Sequence, residues 1–161
     1  MNVERAAGVR LIVPPIAFNL CFFLLGRSFD YPDILRRPTS EVLARAFRAG
    51  GARLLLLWWI FALTAALLAP LAVLLASALV GVNSGLAAVA ATTGVMAAVV
   101  QFLGLIRWPF LVPYLARADA DAGFGSARRE TIDIVFQSFN RYLGVAVGEH
   151  LGYLFTGGWS V

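Results

Sequence analysis

Lysine is missing from this 161-residue chain, and there is one cysteine and one histidine. All thirteen basic residues are arginine. The lack of lysine excludes nothing about membrane orientation, since arginine serves as well as a topology signal. The lone cysteine, Cys21, excludes an internal disulfide and any multi-cysteine metal site, and reads as a small apolar residue of the first membrane segment. The lone histidine, His150, excludes a paired-histidine metalloprotease site and bis-histidine ligation within one chain. It is also the one imidazole that could serve a serine nucleophile as base. Charge is scarce as well: 14% of residues are charged and 60% apolar, with a mean hydropathy of +0.81. A soluble domain carries about 25% charged residues, so the polar groups here are too few to coat a surface in water. No phosphate-binding loop is present, because Gly123-Phe124-Gly125-Ser126 lacks the spacing and the lysine. The net charge of +4 sits in loops rather than on a basic face interleaved with aromatics, which excludes a nucleic-acid module. Nothing argues for an enzyme, and no metal or cofactor is expected.

What is there is long apolar runs. A membrane-spanning helix needs about 20 apolar residues. The first run, 9–26, contains Pro14 and Pro15 and meets the length with Arg10 reaching back to the interface. Those prolines, and the lack of a small-residue cleavage site before Arg27, favour an uncleaved helix over a signal peptide. The second run, 54–80, holds 27 residues without a charge. Trp58 and Trp59 stand at its start, where aromatics favour the interface, and Pro70 should kink it. After a polar turn at 81–85 a third run, 86–112, returns, with Arg107, Trp108 and Pro109 marking its far end. A loop at 116–125 leads to Ser126, read as a helix cap. One long helix then runs to about Gly157, apolar enough to span over 142–159. In the first loop Ser40 is read as a cap, and residues 41–49 as an amphipathic helix on the membrane surface, ended by Gly50-Gly51. The expected fold class is an all-α membrane protein: one domain, a bundle of about four transmembrane helices with an interfacial helix in the first loop.

The arginines orient this bundle. Six lie between the first and second runs (Arg27, Arg36, Arg37, Arg45, Arg48, Arg53). The loop after the third carries Arg117, Arg128 and Arg129, edged by Arg107 and Arg141. The opposite side has Arg5 and Arg10. The positive-inside rule then places both arginine-rich loops in the cytoplasm and both termini outside, in what is expected to be a bacterial inner membrane.

Three stretches resemble a bacterial membrane family known as domain of unknown function 4386: Tyr31-Pro32-Asp33-Ile34-Leu35-Arg36, Arg107-Trp108-Pro109-Phe110-Leu111-Val112-Pro113, and residues 141–152, from Arg141-Tyr142-Leu143-Gly144 to Glu149-His150-Leu151-Gly152. The resemblance covers nearly the whole chain in order. It implies a multi-helix inner-membrane protein without an established activity or catalytic residues, in a family whose members continue through further membrane helices.

Two features of the last helix point to function. Gly144, Gly148 and Gly152 recur every four residues and line one face, which lets another helix approach closely. That helix could belong to this chain, a second copy or a membrane partner, and the leading expectation is an interaction protein that packs through this face. Glu149 and His150 lie well inside the span, where a charge costs about 2.5–3.5 kcal/mol on insertion scales and demands partners. Asn19 and Gln101 are expected at similar depths, with Arg107 about 9 Å along its helix from Gln101. A polar cluster of Asn19, Gln101, Glu149 and His150, edged by Arg107, would be inter-helix glue, a relay or solute site of a small transporter or sensor, or a tetrapyrrole site with His150 as axial ligand. Asp119 and Asp121 in one loop, and Asp30 and Asp33 in the other, could hold a divalent cation, but such charges more often sit solvated in loops.

Overall fold

A backbone in hydrocarbon must satisfy its own hydrogen bonds, so apolar runs of this length form helices. The computed structural model describes residues 3–46, 51–79, 81, 83–121 and 125–160, with side chains from Ile12 onward. All regular structure among them is helical. Helix α1 (Val3–Phe29) leads through a turn and a 3-10 segment (Asp33–Arg36) to a short α2 (Thr39–Arg45). Next come α3 (Gly51–Ala66), α4 (Leu68–Leu79) and the long α5 (Ser84–Ala120). The C-terminal helix consists of α6 (Ser126–Phe139), a π-helical stretch (Asn140–Leu151) and α7 (Gly152–Ser160). Three runs, Ile12–Phe29, Gly51–Leu79 and Ser84–Ala120, are long and apolar enough to cross a membrane. The C-terminal helix, diluted by Glu149, His150 and glycines, is not one of these three.

Local chemistry explains the boundaries. Pro70 has no amide hydrogen for the Ala66 carbonyl, and the second span breaks at Leu67, between α3 and α4. Asn83 caps α5 by accepting from the Leu86 amide at 3.0 Å. Several expectations fail at this level. Residues 116–120, read as loop, continue α5. Ser126 is the first residue of α6, which Gly125 precedes, and no side chain caps it. Ser40 lies inside α2, whose cap position is Pro38. Helix α2 does not lie with its apolar face on lipid: Val42 and Leu43 are buried, and the helix packs against α5 and α6. Its hydrophobic stripe is the signature of an interfacial helix and of a buried one alike. Phe47, Arg48 and Gly50, on which that expectation also rested, lie outside the described residues, as do Val82, Gly123, Phe124 and the side chains of Arg5 and Arg10.

Helix α5 is the centre of the bundle, touching α2, α3, α4 and the C-terminal helix, while α1 packs on α3 and α4. The core lies at the arginine-rich end, where Leu25, Phe29, Ile34, Val42 and Leu43 are fully buried. Trp58 of α3 and Trp108 of α5 stack face to face there, centroids 4.3 Å apart and planes 5° from parallel. Phe29 and Tyr31 stand almost perpendicular beside the pair, each within 6.2 Å of both indoles. Such edge-to-face pairs contribute about 0.5–1.5 kcal/mol each beyond the area they bury. Arg37 joins the turn after α1 to α2, donating to Asp30 and to Glu41 at 2.5 Å each. Asp30 itself holds a positive φ of 62°.

Candidate functional site

Glycine determines how the C-terminal helix lies on α5. The two run antiparallel, with Gly144 against Arg107, Gly148 against Gly104, Gly152 against Gln101 and Gly158 near Thr93. A β-carbon on Gly148 would come within 2.8 Å of the Gly104 Cα, and one on Gly104 within 2.6 Å of the Gly148 Cα. The two backbones touch there. The face formed by Gly144, Gly148 and Gly152 is therefore covered by α5 of the same chain. Of the occupants that the spacing left open, α5 of this chain is the one that packs on the glycines.

The same register brings polar groups onto this seam. Gln101 Nε2 donates to Thr156 Oγ1 at 2.9 Å. Arg107 is buried, with 8% of its surface exposed. Its guanidinium donates to the Gly104 carbonyl and, at 3.0 Å, to the Asn140 side-chain oxygen. Both partners are neutral, and none of the described carboxylates forms an ion pair with it.

A cavity of 260 Å³ opens beside the seam, between α1 and the C-terminal helix. Its floor is Gln101, Gly104, Leu105 and Arg107 of α5, with Phe61 of α3. Phe18 and Phe22 of α1 form one wall, and Gly144, Gly148, Glu149, Tyr153 and Thr156 the other. Tyr31, from the turn after α1, lines the arginine-rich end. Burial pushes the Tyr31 hydroxyl above the usual phenol range; Arg107 pulls it down, while Glu149 and Tyr153 push it further up. The groove is thus an aromatic slot with a cation in its floor and a carboxyl on one wall.

The five residues of the expected polar cluster separate. Gln101, Arg107 and Glu149 share the groove. Asn19 is exposed on α1 and donates to the Pro15 carbonyl of its own helix at 2.8 Å. His150 is exposed and off the groove wall, because consecutive helical residues diverge by about 100°. Arg107, expected at the edge, is the one buried charged side chain among the described residues. Tyr153 and Thr156 are not singled out from sequence, and Tyr31 stands out there only within a stretch that carries the family resemblance. Tyr153 carried a signal all the same, being one helical turn beyond Glu149.

Elsewhere, no group of three His, Cys, Asp or Glu residues among the described ones could hold a metal ion. Asp30 is held by Arg37 and Arg45, and exposed Asp33 pairs with Arg36 at 3.4 Å. A second cavity, of 280 Å³ and largely apolar, lies behind the indole pair and reaches Arg117.

A family model described as "Domain of unknown function (DUF4386)" matches residues 6–161. The chain belongs to the DUF4386 family. No curated protein and no solved structure matches it. The DUF4386 description carries no activity, so the geometry of the groove has to supply the functional reading.

Proposed function

We propose that this protein binds a small monoanion with an apolar body in the groove between α1 and the C-terminal helix, as a membrane carrier or receptor. The observation that carries the reading is Arg107, a buried guanidinium on the floor of an open cavity with only neutral oxygens as partners. A cation in low dielectric is costly until an anion meets it, and a guanidinium suits a carboxylate. Phe18, Phe22 and Phe61 suit the apolar body.

We place the protein in the bacterial inner membrane with its arginine-rich loops in the cytoplasm, as the arginine count supports. From Leu86 to Arg107 the helix rises about 31 Å, one hydrocarbon thickness. Arg107 would then meet its ligand near the cytoplasmic edge. A second reading rests on exposed His150: at membrane depth it calls for protein cover, which a helix of another chain would supply.

The experiment is calorimetry of the purified protein in mild detergent with hexanoate and benzoate. Binding of both anions is expected, with hexylamine inert. Arg107→Gln should abolish binding and Arg107→Lys retain part of it. Equal binding of hexylamine, or undiminished binding by Arg107→Gln, would defeat the proposal.

A further inference from the structure

A different face of α1 carries a second juxtaposition, independent of the polar groove. Arg27 stands in the last turn of α1 and Arg53 in the first turn of α3. Both are exposed, and neither has an ion-pair or hydrogen-bond partner among the described residues. They flank one groove of 620 Å³ between the two helices. Leu54 and Leu57 form its floor, while Phe23 and Ile60 stand exposed along its sides. Its remaining polar group, the Ser28 hydroxyl, is committed to the Leu24 carbonyl at 2.6 Å. The Arg27 guanidinium lies 5.7 Å from the Phe23 ring centroid, which draws it over the groove. No acid among the described residues lines the groove.

This is a surface of two chemistries in one order: two cations at the rim and hydrocarbon below. Both helices run from those arginines into uncharged apolar spans, so the rim lies at headgroup level and the floor at acyl-chain level. A free phosphate would satisfy the arginines and leave the apolar floor unused. A zwitterionic lipid would bring its own cation to a site already doubly positive. A basic pocket between membrane helices suits a lipid of net negative charge.

We infer that the groove between α1 and α3 binds one anionic phospholipid, its phosphate held between Arg27 and Arg53 and an acyl chain laid along Leu57 and Ile60.

The test is native mass spectrometry of the protein in mild detergent, titrated with phosphatidylglycerol and phosphatidylcholine of identical chains. One phosphatidylglycerol is expected to stay bound in preference. Affinity should fall about fivefold for each arginine removed, as expected of a juxtamembrane cation, so most in Arg27→Gln/Arg53→Gln. The lysine pair Arg27→Lys/Arg53→Lys keeps the charge and should keep the lipid even if the glutamine pair misfolds. A charge-matched control, Arg36→Gln/Arg129→Gln, should leave binding unchanged. Equal retention of the two lipids, or equal loss in the control, would show attraction to overall charge and overturn the site. Competition by glycerol phosphate as effective as by the lipid would overturn it in favour of a free-anion site.

Discussion

Tyr31 shows how one residue can belong to the core and to the groove at once. Its ring stands edge-on to Trp58 at 5.0 Å, while its side chain lines the cavity with Arg107 and Glu149. Burial raises its hydroxyl pKa above the ordinary value, with Glu149 and Tyr153 adding to the rise against Arg107. A group whose folded pKa is raised contributes stability that is complete below its unfolded pKa, about 10. That stability is lost as pH rises through the folded value. Thermal unfolding in detergent should therefore weaken on the alkaline side of about pH 10. Tyr31→Phe, with no proton to lose, should weaken less over the same range. Parallel losses in the two proteins would mean that Tyr31 ionises as freely folded as unfolded. The indole pair is a different case: Trp58 and Trp108 each bury an Nε1 hydrogen without an acceptor among the described residues.

Between elements, the glycine seam dominates. Helices in lipid gain little from hydrophobicity and associate by close packing, so small residues decide where they meet. At Gly104 and Gly148 the backbones of α5 and the C-terminal helix touch, and a methyl group has nowhere to go. Gly148→Ala and Gly104→Ala should each cost about 1–3 kcal/mol, the usual cost of overpacking. Gly157→Ala, where nothing lies within 4 Å of the added carbon, should stay within about 0.5 kcal/mol. Chemical denaturation in micelles measures both. Because the seam is internal, the mass of the detergent-solubilised particle should not change in any of the three. Dissociation of an oligomer by Gly148→Ala would return the glycine face to the role of an assembly surface.

For the molecule as a whole the open question is orientation, and it can be put to a direct test. With Cys21 replaced by alanine, Gly81→Cys in the short turn should react with a membrane-impermeant maleimide on intact bacteria. Ser126→Cys at the start of α6 should react only after permeabilisation. The reverse pattern would invert the topology and put the arginine-rich end outside. The turn and the start of α6 are separated by the whole length of α5, at 37 residues the longest helix described. A helix of that length and apolarity is long enough to set the two labels on opposite sides of a bilayer.

Composition and periodicity by themselves determined the class of this protein, because apolar runs with so few charges have only lipid as a solvent and only helix as a conformation there. Apolar length marked three runs long enough to cross a membrane, proline chemistry marked the break near Pro70, and three short stretches carried the resemblance to the family. Composition and periodicity also marked Gly144, Gly148 and Gly152 as a contact face, since spacing along one helix is local information. What they could not decide is what meets that face, or which polar residues meet each other. Asn19, Gln101, Glu149 and His150 share an estimated depth, yet depth is one coordinate, and the rotation of each helix about its axis is set by packing against its neighbours. Only the tertiary structure turned Arg107 and Glu149 into one groove and sent Asn19 and His150 to other faces. Tertiary structure alone also stacked Trp58 on Trp108, residues fifty positions apart, and buried α2, whose stripe of apolar residues fits protein and lipid equally well.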